Sequence, residues 1–392
     1  MICPMLQMQE KGRAPCAQTG TTTSEHRGYK TRRRKSEPTT EPYDAVIVNA
    51  RSMAPSRRGR MSCSPHQLVV VLLSAAAALG FGVRAGAAQL CGEYYDRTCP
   101  DVHRIVRRVL KKAHEADARI YASLTRLHFH DCFVQGCDGS ILLDNSSSIV
   151  SEKFAAPNNN SARGYPVVDA VKAALEEACP GVVSCADILA IAAKISVELS
   201  GGPRWRVPLG RRDGTTANIT AANDLPSPFD NLTALQQKFG AVGLDDTDLV
   251  ALSGAHTFGR VQCQFVTPRL YNFSGTNRPD PTLDRGYRAF LSLRCPRGGD
   301  GTALNDLDPT TPDAFDNSYY TNIEARRGTL QSDQELLSTP GAPTAAIVGR
   351  FAGSQKAFFK SFARSMINMG NIEVLTGSQG EVRKNCRVVN GS

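Results

Sequence analysis

Between Leu124 and Ser140 the chain places one arginine, two histidines, two aspartates and two cysteines in a single short window. Read as a helix running into a loop, Arg126 and His130 stand at i and i+4. They therefore project from one helix face, a turn apart. That pairing suits acid–base work or a transition-metal site. Asp131, Asp138 and Ser140 follow around a glycine-containing turn and are the hard oxygen donors that a calcium ion takes. The window by itself leaves both chemistries open. His128 points off the face shared by Arg126 and His130, so it reads as structural.

A second candidate closes the segment Asp248–Gly259, which reads as a helix ending on His256. One histidine near a helix end is more often a cap or a core residue than a ligand. Beside the Arg126/His130 helix its meaning changes, because a buried cofactor needs a protein ligand on one side and reacting groups on the other. Haem iron held by a proximal histidine, with arginine and histidine opposite, is one such arrangement.

The elements that must position these groups are mostly helices. Val102, Ile105, Val106, Val109 and Leu110 recur at helical period between Val102 and Ala113. The same period marks Val167–Cys179 and Cys185–Leu199, and Gly201-Gly202-Pro203 stops the latter. Residues 144–165 and 213–230 read as long loops, the first rich in Asn, Ser and Pro. Trp205–Leu209 looks like a short strand. Leu232–Phe239, Asp246–Ala255, Phe290–Leu293, Asn317–Ala325 and Phe358–Met369 complete the helices, and no repeat is visible. The expected class is all-α with long connections.

The chain has 392 residues, room for one large domain or two smaller ones. Its net charge of +9 points to an acidic partner such as nucleic acid only until it is located. Residues 1–88 carry about 13 Lys/Arg and about 5 Asp/Glu, which leaves the remainder roughly neutral. The run Arg32-Arg33-Arg34-Lys35 is thus weak support for a nucleic-acid binder or a nuclear signal. It also precedes a feature that contradicts it. Leu68–Val83 is an apolar run followed by Ala85, Gly86, Ala87 and Ala88, the form of a secretory leader and its cleavage zone rather than a membrane span. Met61 stands just before the run. The expected organisation is an alternative or non-native extension over 1–60, a signal peptide over 61–88 and the functional domain over 89–392.

Of the 12 cysteines, nine follow the leader: Cys91, Cys99, Cys132, Cys137, Cys179, Cys185, Cys263, Cys295 and Cys386. In a secreted domain they imply disulfides, and their spacing is not that of a structural zinc site. An odd number leaves one cysteine free or intermolecular. Sequons at Asn145, Asn159, Asn218, Asn231, Asn272 and Asn390 fit a glycosylated surface.

Seven ordered motifs carry a resemblance. RLHFHDCFVQGCDGSILLD (126–144), EKFAAPNNNSARGYPVVDAVK (152–172), VSCADILAIAA (183–193), DLVALSGAHTFG (248–259), FDNSYY (315–320), QSDQEL (331–336) and NCRVVN (385–390) resemble the secretory plant haem peroxidases, class III. The resemblance spans roughly residues 89–392. It implies two mostly helical halves around one haem b, with a minor β component, and oxidation of phenolic donors by hydrogen peroxide in two one-electron steps.

The resemblance also assigns roles. His256 matches the iron ligand and Asp333 the acid behind it. His130 matches the proton acceptor, Asn158 the residue that holds its other ring nitrogen, Arg126 the transition-state stabiliser and Phe129 a pocket wall. A distal calcium site matches Asp131, Val134 and Gly136 through their carbonyls in the latter two cases, Asp138 and Ser140, with Glu152 acting through a water. A proximal calcium site matches Thr257, Asp308, Thr311, the Ala314 carbonyl and Asp316. Pro226, Phe229 and Phe265 match the donor access, while Ala156 departs from a phenylalanine that some members carry. The implied disulfides are Cys99–Cys179, Cys132–Cys137, Cys185–Cys386 and Cys263–Cys295, with Cys91 left over. The resemblance further implies a monomer in the cell wall or extracellular space, with no nucleic acid partner and no membrane after leader cleavage. A non-catalytic haem- or calcium-binding wall protein is the alternative, but a scaffold has no need of the Arg126, His130, Asn158 and His256 set.

Overall fold

The computed structural model describes residues 90–392. The expected extension and signal peptide lie outside the described residues. Helices dominate the rest, and among the described residues no helix is long and apolar enough to cross a membrane.

The first half contains α1 (Val102–Ala116), α2 (Ile120–Gln135), α3 (Tyr165–Ala178) and α4 (Cys185–Leu199). One face of α1 is buried through Val102, Ile105, Val106 and Leu110, at the period read from sequence. By contrast no residue of α2 or α4 is exposed, and the two helices form the centre of the core, with Leu124, Leu127, Ile188, Leu189 and Ile191 almost fully buried. Ser184 caps α4 by accepting from the Asp187 amide at 3.2 Å, a contact worth about 1 kcal/mol. Gly136 ends α2 at φ 93°, where a Cβ would lie 2.6 Å from the Glu373 carbonyl oxygen. Only glycine lets the chain turn there into the loop of acids.

The second half runs α5 (Ile219–Ala222), α6 (Leu232–Ala241), α7 (Asp246–Ser253), β1 (Arg260–Gln262), α8 (Cys263–Tyr271), α9 (Arg285–Arg294), β2 (Leu304–Asp306), α10 (Ser318–Glu324), α11 (Gln331–Ser338), α12 (Thr344–Ala352) and α13 (Gln355–Met369). A capping box starts α7: Asp245 accepts from the Asp248 amide at 2.9 Å, and Asp248 accepts in return at 3.3 Å. The helix tightens into a 3-10 turn over Gly254–Thr257, which carries His256. Three residues on, Gly259 has φ 103°, and a Cβ there would sit 2.8 Å from the Ala122 Cβ of α2. The histidine turn is therefore packed against the helix that bears Arg126 and His130.

The strand expected at Trp205–Leu209 is absent. Leu209 makes only an isolated bridge to Cys91, with two backbone bonds of 2.9 Å, and Pro208 beside it has no N–H to extend a ladder. The two-stranded sheet is elsewhere: β1 and β2 pair antiparallel with Val261 opposite Asn305. A satellite core of Val266, Leu270, Leu283, Tyr287 and Leu291 sits beside the Cys263–Cys295 disulfide. Between described residues the other disulfides are Cys99–Cys179, Cys132–Cys137 and Cys185–Cys386, so these four pairs are those the resemblance implies. For Cys91 the sequence leaves a free thiol or an intermolecular bond open. It is disulfide-bonded, not a free thiol.

Candidate active site

Each candidate histidine is held by one oxygen. His130 is buried on α2, and its Nδ1 is 2.5 Å from Asn158 Oδ1. Asn158 is buried in its turn and donates through Nδ2 to the Glu152 carbonyl at 2.8 Å. His256 Nδ1 lies 2.8 Å from Asp333 Oδ1. Asp333, 1 % exposed, also accepts from the Tyr319 hydroxyl at 3.0 Å and from the Leu330 amide at 2.8 Å, where it caps the start of α11. With Nδ1 engaged, Nε2 is the nitrogen each ring has left for chemistry or a metal.

Arg126 is half-buried one turn before His130 and donates to the Pro157 carbonyl at 2.9 Å, so the loop that supplies Asn158 also anchors the guanidinium. Burial pulls its pKa down to about 10, still far above neutrality. Burial, followed by the Arg126 charge, holds the His130 pKa well below the ordinary imidazole value, although the Asn158 bond acts in the opposite direction. Phe129 meets the His130 ring edge-on at 5.2 Å.

His128 is buried, and burial drops its pKa to about 3. Its Nδ1 is 3.5 Å from Cys132 Sγ. Among the described residues, His128, Cys132 and Cys137 are the one close group of possible metal ligands, but both sulfurs belong to a disulfide and neither is a thiolate. The structural reading of His128 fits this.

The acids form two further groups. Asp131, Asp138, Ser140 and Glu152 are all buried beside the Cys132–Cys137 loop. Asp131 Oδ1, Ser140 Oγ and Glu152 Oε2 are buried without a hydrogen-bond partner. Burial first, then the neighbouring Asp138 charge, raises the Asp131 carboxyl well above its usual range, and burial pushes Glu152 up to about 7. Orphaned oxygens and crowded acids are a poor arrangement for the protein alone and a good one for a hard cation. The backbone around them is fixed: Arg383 donates to the Gly139 carbonyl at 2.7 Å, and the Asn218 amide donates to Glu152 Oε1 at 2.8 Å.

In the second group Thr257 Oγ1 donates toward Asp316 Oδ1 at 3.2 Å and lies 3.4 Å from Asp308 Oδ2. Thr311 Oγ1 is buried without a partner. Burial raises the Asp308 carboxyl, and the Asp316 charge adds to the rise. Ala314 is one residue before the buried Phe315 and one turn from Thr311, whose carbonyl its amide reaches at 3.1 Å.

The donor candidates divide. Phe229, 44 % exposed, faces Phe265 at 6.1 Å between rings. Pro226 instead lines an open cavity of about 410 Å3 with Phe133, Ala234 and Lys238, which neither phenylalanine lines. Ala156 is exposed, and its amide donates to Asn223 Oδ1 at 2.8 Å. Two residues that sequence reasoning passed over join the site. Tyr319 sits in FDNSYY, a motif singled out without a task for the tyrosine. Arg383 had no signal at all, because its role depends on a contact across 244 positions.

An all-α domain with two histidines, each fixed through Nδ1 by a buried oxygen and each followed directly by a cation-type donor, has the architecture of a haem oxidoreductase. The family model described as "Peroxidase" matches residues 106–354. The chain is 63 % identical over 302 residues to Peroxidase 15 of Ipomoea batatas, covering 76 % of this chain and 92 % of that one. It is 60 % identical over 305 residues to Peroxidase 22 of Arabidopsis thaliana, covering 77 % and 87 %. To Peroxidase C1B of Armoracia rusticana it is 54 % identical over 317 residues, covering 80 % and 90 %. The chain belongs to the peroxidase family. It is a haem enzyme that oxidises electron donors with hydrogen peroxide.

Proposed function

We propose that the chain is a secreted, monomeric peroxidase carrying haem b and two calcium ions, and that its donors are phenols. The observation that carries the residue assignment is the pair of buried histidine couples, His130 with Asn158 and His256 with Asp333. Haem, when bound, supplies the iron at which peroxide is reduced and through which donors are oxidised one electron at a time.

His256 Nε2 would hold the iron. Asp333 accepts the Nδ1–H and so makes the imidazole a stronger donor. On the other side His130, kept neutral by burial and by Arg126, takes the proton of the incoming peroxide on Nε2 and gives it to the oxygen that leaves as water. Asn158 fixes the tautomer that makes Nε2 the basic atom. Arg126 stabilises the negative charge that develops as the oxygen–oxygen bond breaks. Phe129 excludes water from the face of His130.

The residues around the orphaned oxygens fit calcium. Asp131, Val134, Gly136, Asp138 and Ser140, with Glu152 behind them, would hold one ion; Thr257, Asp308, Thr311, Ala314 and Asp316 would hold the other. Asp131 adjoins His130 and Thr257 adjoins His256, so each ion braces one histidine. Phe229 and Phe265 line the approach for small phenols, with Pro226 nearby in sequence. Four disulfides support an oxidising, extracellular location.

The test is a haem-loaded preparation assayed for a Soret band and for peroxide-dependent oxidation of guaiacol. His130→Ala should keep the band and lose turnover, whereas His256→Ala should lose or shift the band. Bound haem with no turnover in the unaltered protein sinks the assignment. Elution as a dimer in size-exclusion chromatography overturns the monomer.

A further inference from the structure

Two helices bring charged faces together beside Trp205, the chain's single tryptophan. His103 and Arg107 stand one turn apart on α1, and Lys194 and Glu198 one turn apart on α4. The Glu198 side chain is 8 % exposed. One of its oxygens accepts from Arg107 at 2.7 Å and from Lys194 at 2.6 Å, and the other lies 3.0 Å from Arg204 Nε. One carboxylate thus answers three cations. A fourth cation, Arg206, pairs with Glu93, and its stem lies across Gly92, where a Cβ would collide with it. With Asp96 included, four cations face three acids, which leaves a surplus of one positive charge.

Asp96, His103, Lys194, Arg204, Trp205 and Arg206 line one open cavity of about 510 Å3, a size within the range of small-molecule sites. No residue lining it belongs to either histidine couple, to the groups of acids or to the Phe229/Phe265 approach. The indole meets the buried Phe362 at 6.1 Å and 75°, so core packing holds its plane. The Arg204 and Arg206 side chains are 82 % and 58 % exposed, and ion pairs that exposed hold little, so both heads can turn to an incoming anion. A fixed indole, guanidinium heads beside it and one unmatched charge suit a flat monoanion, ring on ring and carboxylate on arginine. Asp96 adds an acceptor for a hydroxyl on such a ring.

We propose that this cavity binds a hydroxylated aromatic monocarboxylate, with its ring against Trp205 and its carboxylate on Arg204 and Arg206. Binding is reversible and no bond or electron changes hands there, so the site stands apart from the haem chemistry. His103 links it to pH. Partial burial, then the Lys194 charge, and Arg107 after them, hold this imidazole below its ordinary pKa, while Asp96 and Glu198 act in the opposite direction. A carboxylate entering the same cavity offsets the two cations and raises that pKa. Between the lower value of the empty site and the higher value of the filled one, binding therefore takes up a proton, and affinity rises as pH falls through that window.

The experiment uses the haem-loaded full chain without peroxide, with 5-fluorotryptophan in place of tryptophan, so that one fluorine resonance reports on Trp205 alone. 4-Hydroxyphenylacetate should move that resonance saturably. 2-(4-Hydroxyphenyl)ethanol, which lacks the charge, and acetate, which lacks the ring, should leave it in place at the same concentrations. Arg204→Gln combined with Arg206→Gln should weaken binding about 10- to 100-fold. At about pH 6, calorimetry in two buffers of different ionisation heat should show proton uptake that His103→Asn removes. A resonance unmoved by the acid up to about 10 mM, tenfold above a weak Kd of about 1 mM, overturns the site. An equal response to the alcohol or to acetate overturns the ligand class. Unchanged affinity in the double variant overturns the placement of the carboxylate, and equal proton uptake in His103→Asn overturns the link to pH.

Discussion

Replacing Asn158 with valine isolates what a buried carboxamide contributes to the peroxide step. Asn158 accepts from His130 at 2.5 Å and donates to the Glu152 carbonyl at 2.8 Å, and it is 2 % exposed, so water cannot take its place. As His130 picks up a proton, its Nδ1–H becomes a donor from a cation. Such a bond is worth about 1.5–3 kcal/mol. At about 1.4 kcal/mol per factor of ten, the rate of the peroxide step should fall by about 10- to 150-fold. The Asn158 bond raises the His130 pKa, so its loss lowers that pKa further. The imidazole then remains neutral but is a weaker base, and raising the pH should not restore the rate. Unpairing the Glu152 carbonyl should also destabilise the fold by about 1–3 kcal/mol. Stopped-flow measurement of the Soret change against peroxide concentration reads the rate, and thermal melts read the stability. A rate within twofold of the parent, or full recovery at high pH, refutes the reasoning.

Removing calcium with a chelator should lower both Tm and turnover; an ion held at a hundred times its Kd stabilises by about 2.7 kcal/mol, so loss of one site should be plain in a melt followed by calcium back-titration. Asp333→Asn should weaken the donor strength of His256 and raise the haem reduction potential, read by spectroelectrochemistry, because the ring loses a carboxylate at 2.8 Å. Arg126→Leu removes a charge that depresses the His130 pKa, so the acid limb of the peroxide rate should move to higher pH, with the plateau rate about 100- to 1,000-fold lower. Stability of the calcium-loaded protein should decline as pH falls below about 6.5, since the unfolded chain takes up a proton that buried His128 refuses down to about pH 3; the slope for this one group is about 1.4 kcal/mol per pH unit, measurable by denaturant titration.

The parts of the fold that could be read in advance were those with a strong local signal. The α1 stripe and the stop after Leu199 were of this kind, and so was the Arg126/His130 face. Helices α5, α8, α11 and α12 carry no such signal, and α5, of four residues, falls inside the stretch 213–230 that reads as loop. Pro268 interrupts α8, and α11 is eight residues long with its polar Asp333 and Gln334 buried, so neither shows a clean apolar period. The sheet was misplaced because strands of three residues are too short to alternate visibly. At the site, the spacing within 126–140 put Arg126 and His130 on one helix face and grouped Asp131, Asp138 and Ser140 around the following turn. It could not pair His256 with Asp333, which lie 77 positions apart, or bring Tyr319 and Arg383 into the site at all. Those contacts are made by tertiary packing, and motif likeness supplied only the partners it happened to contain.

The disulfides put the site on a timetable. Cys132 and Cys137 are separated by 5 positions and can close as soon as that loop is synthesised, whereas Cys185 must wait for a partner 201 residues later. At ribosomal speeds that is a delay of about 10–40 s. Throughout it, the thiol at the head of α4 must stay reduced and unclaimed while other cysteines arrive around it. Maturation of this enzyme is therefore order-dependent. An oxidant acting too early traps Cys185 with the wrong partner, leaving the segment that carries Arg383 unfastened from the loop of acids it would otherwise secure.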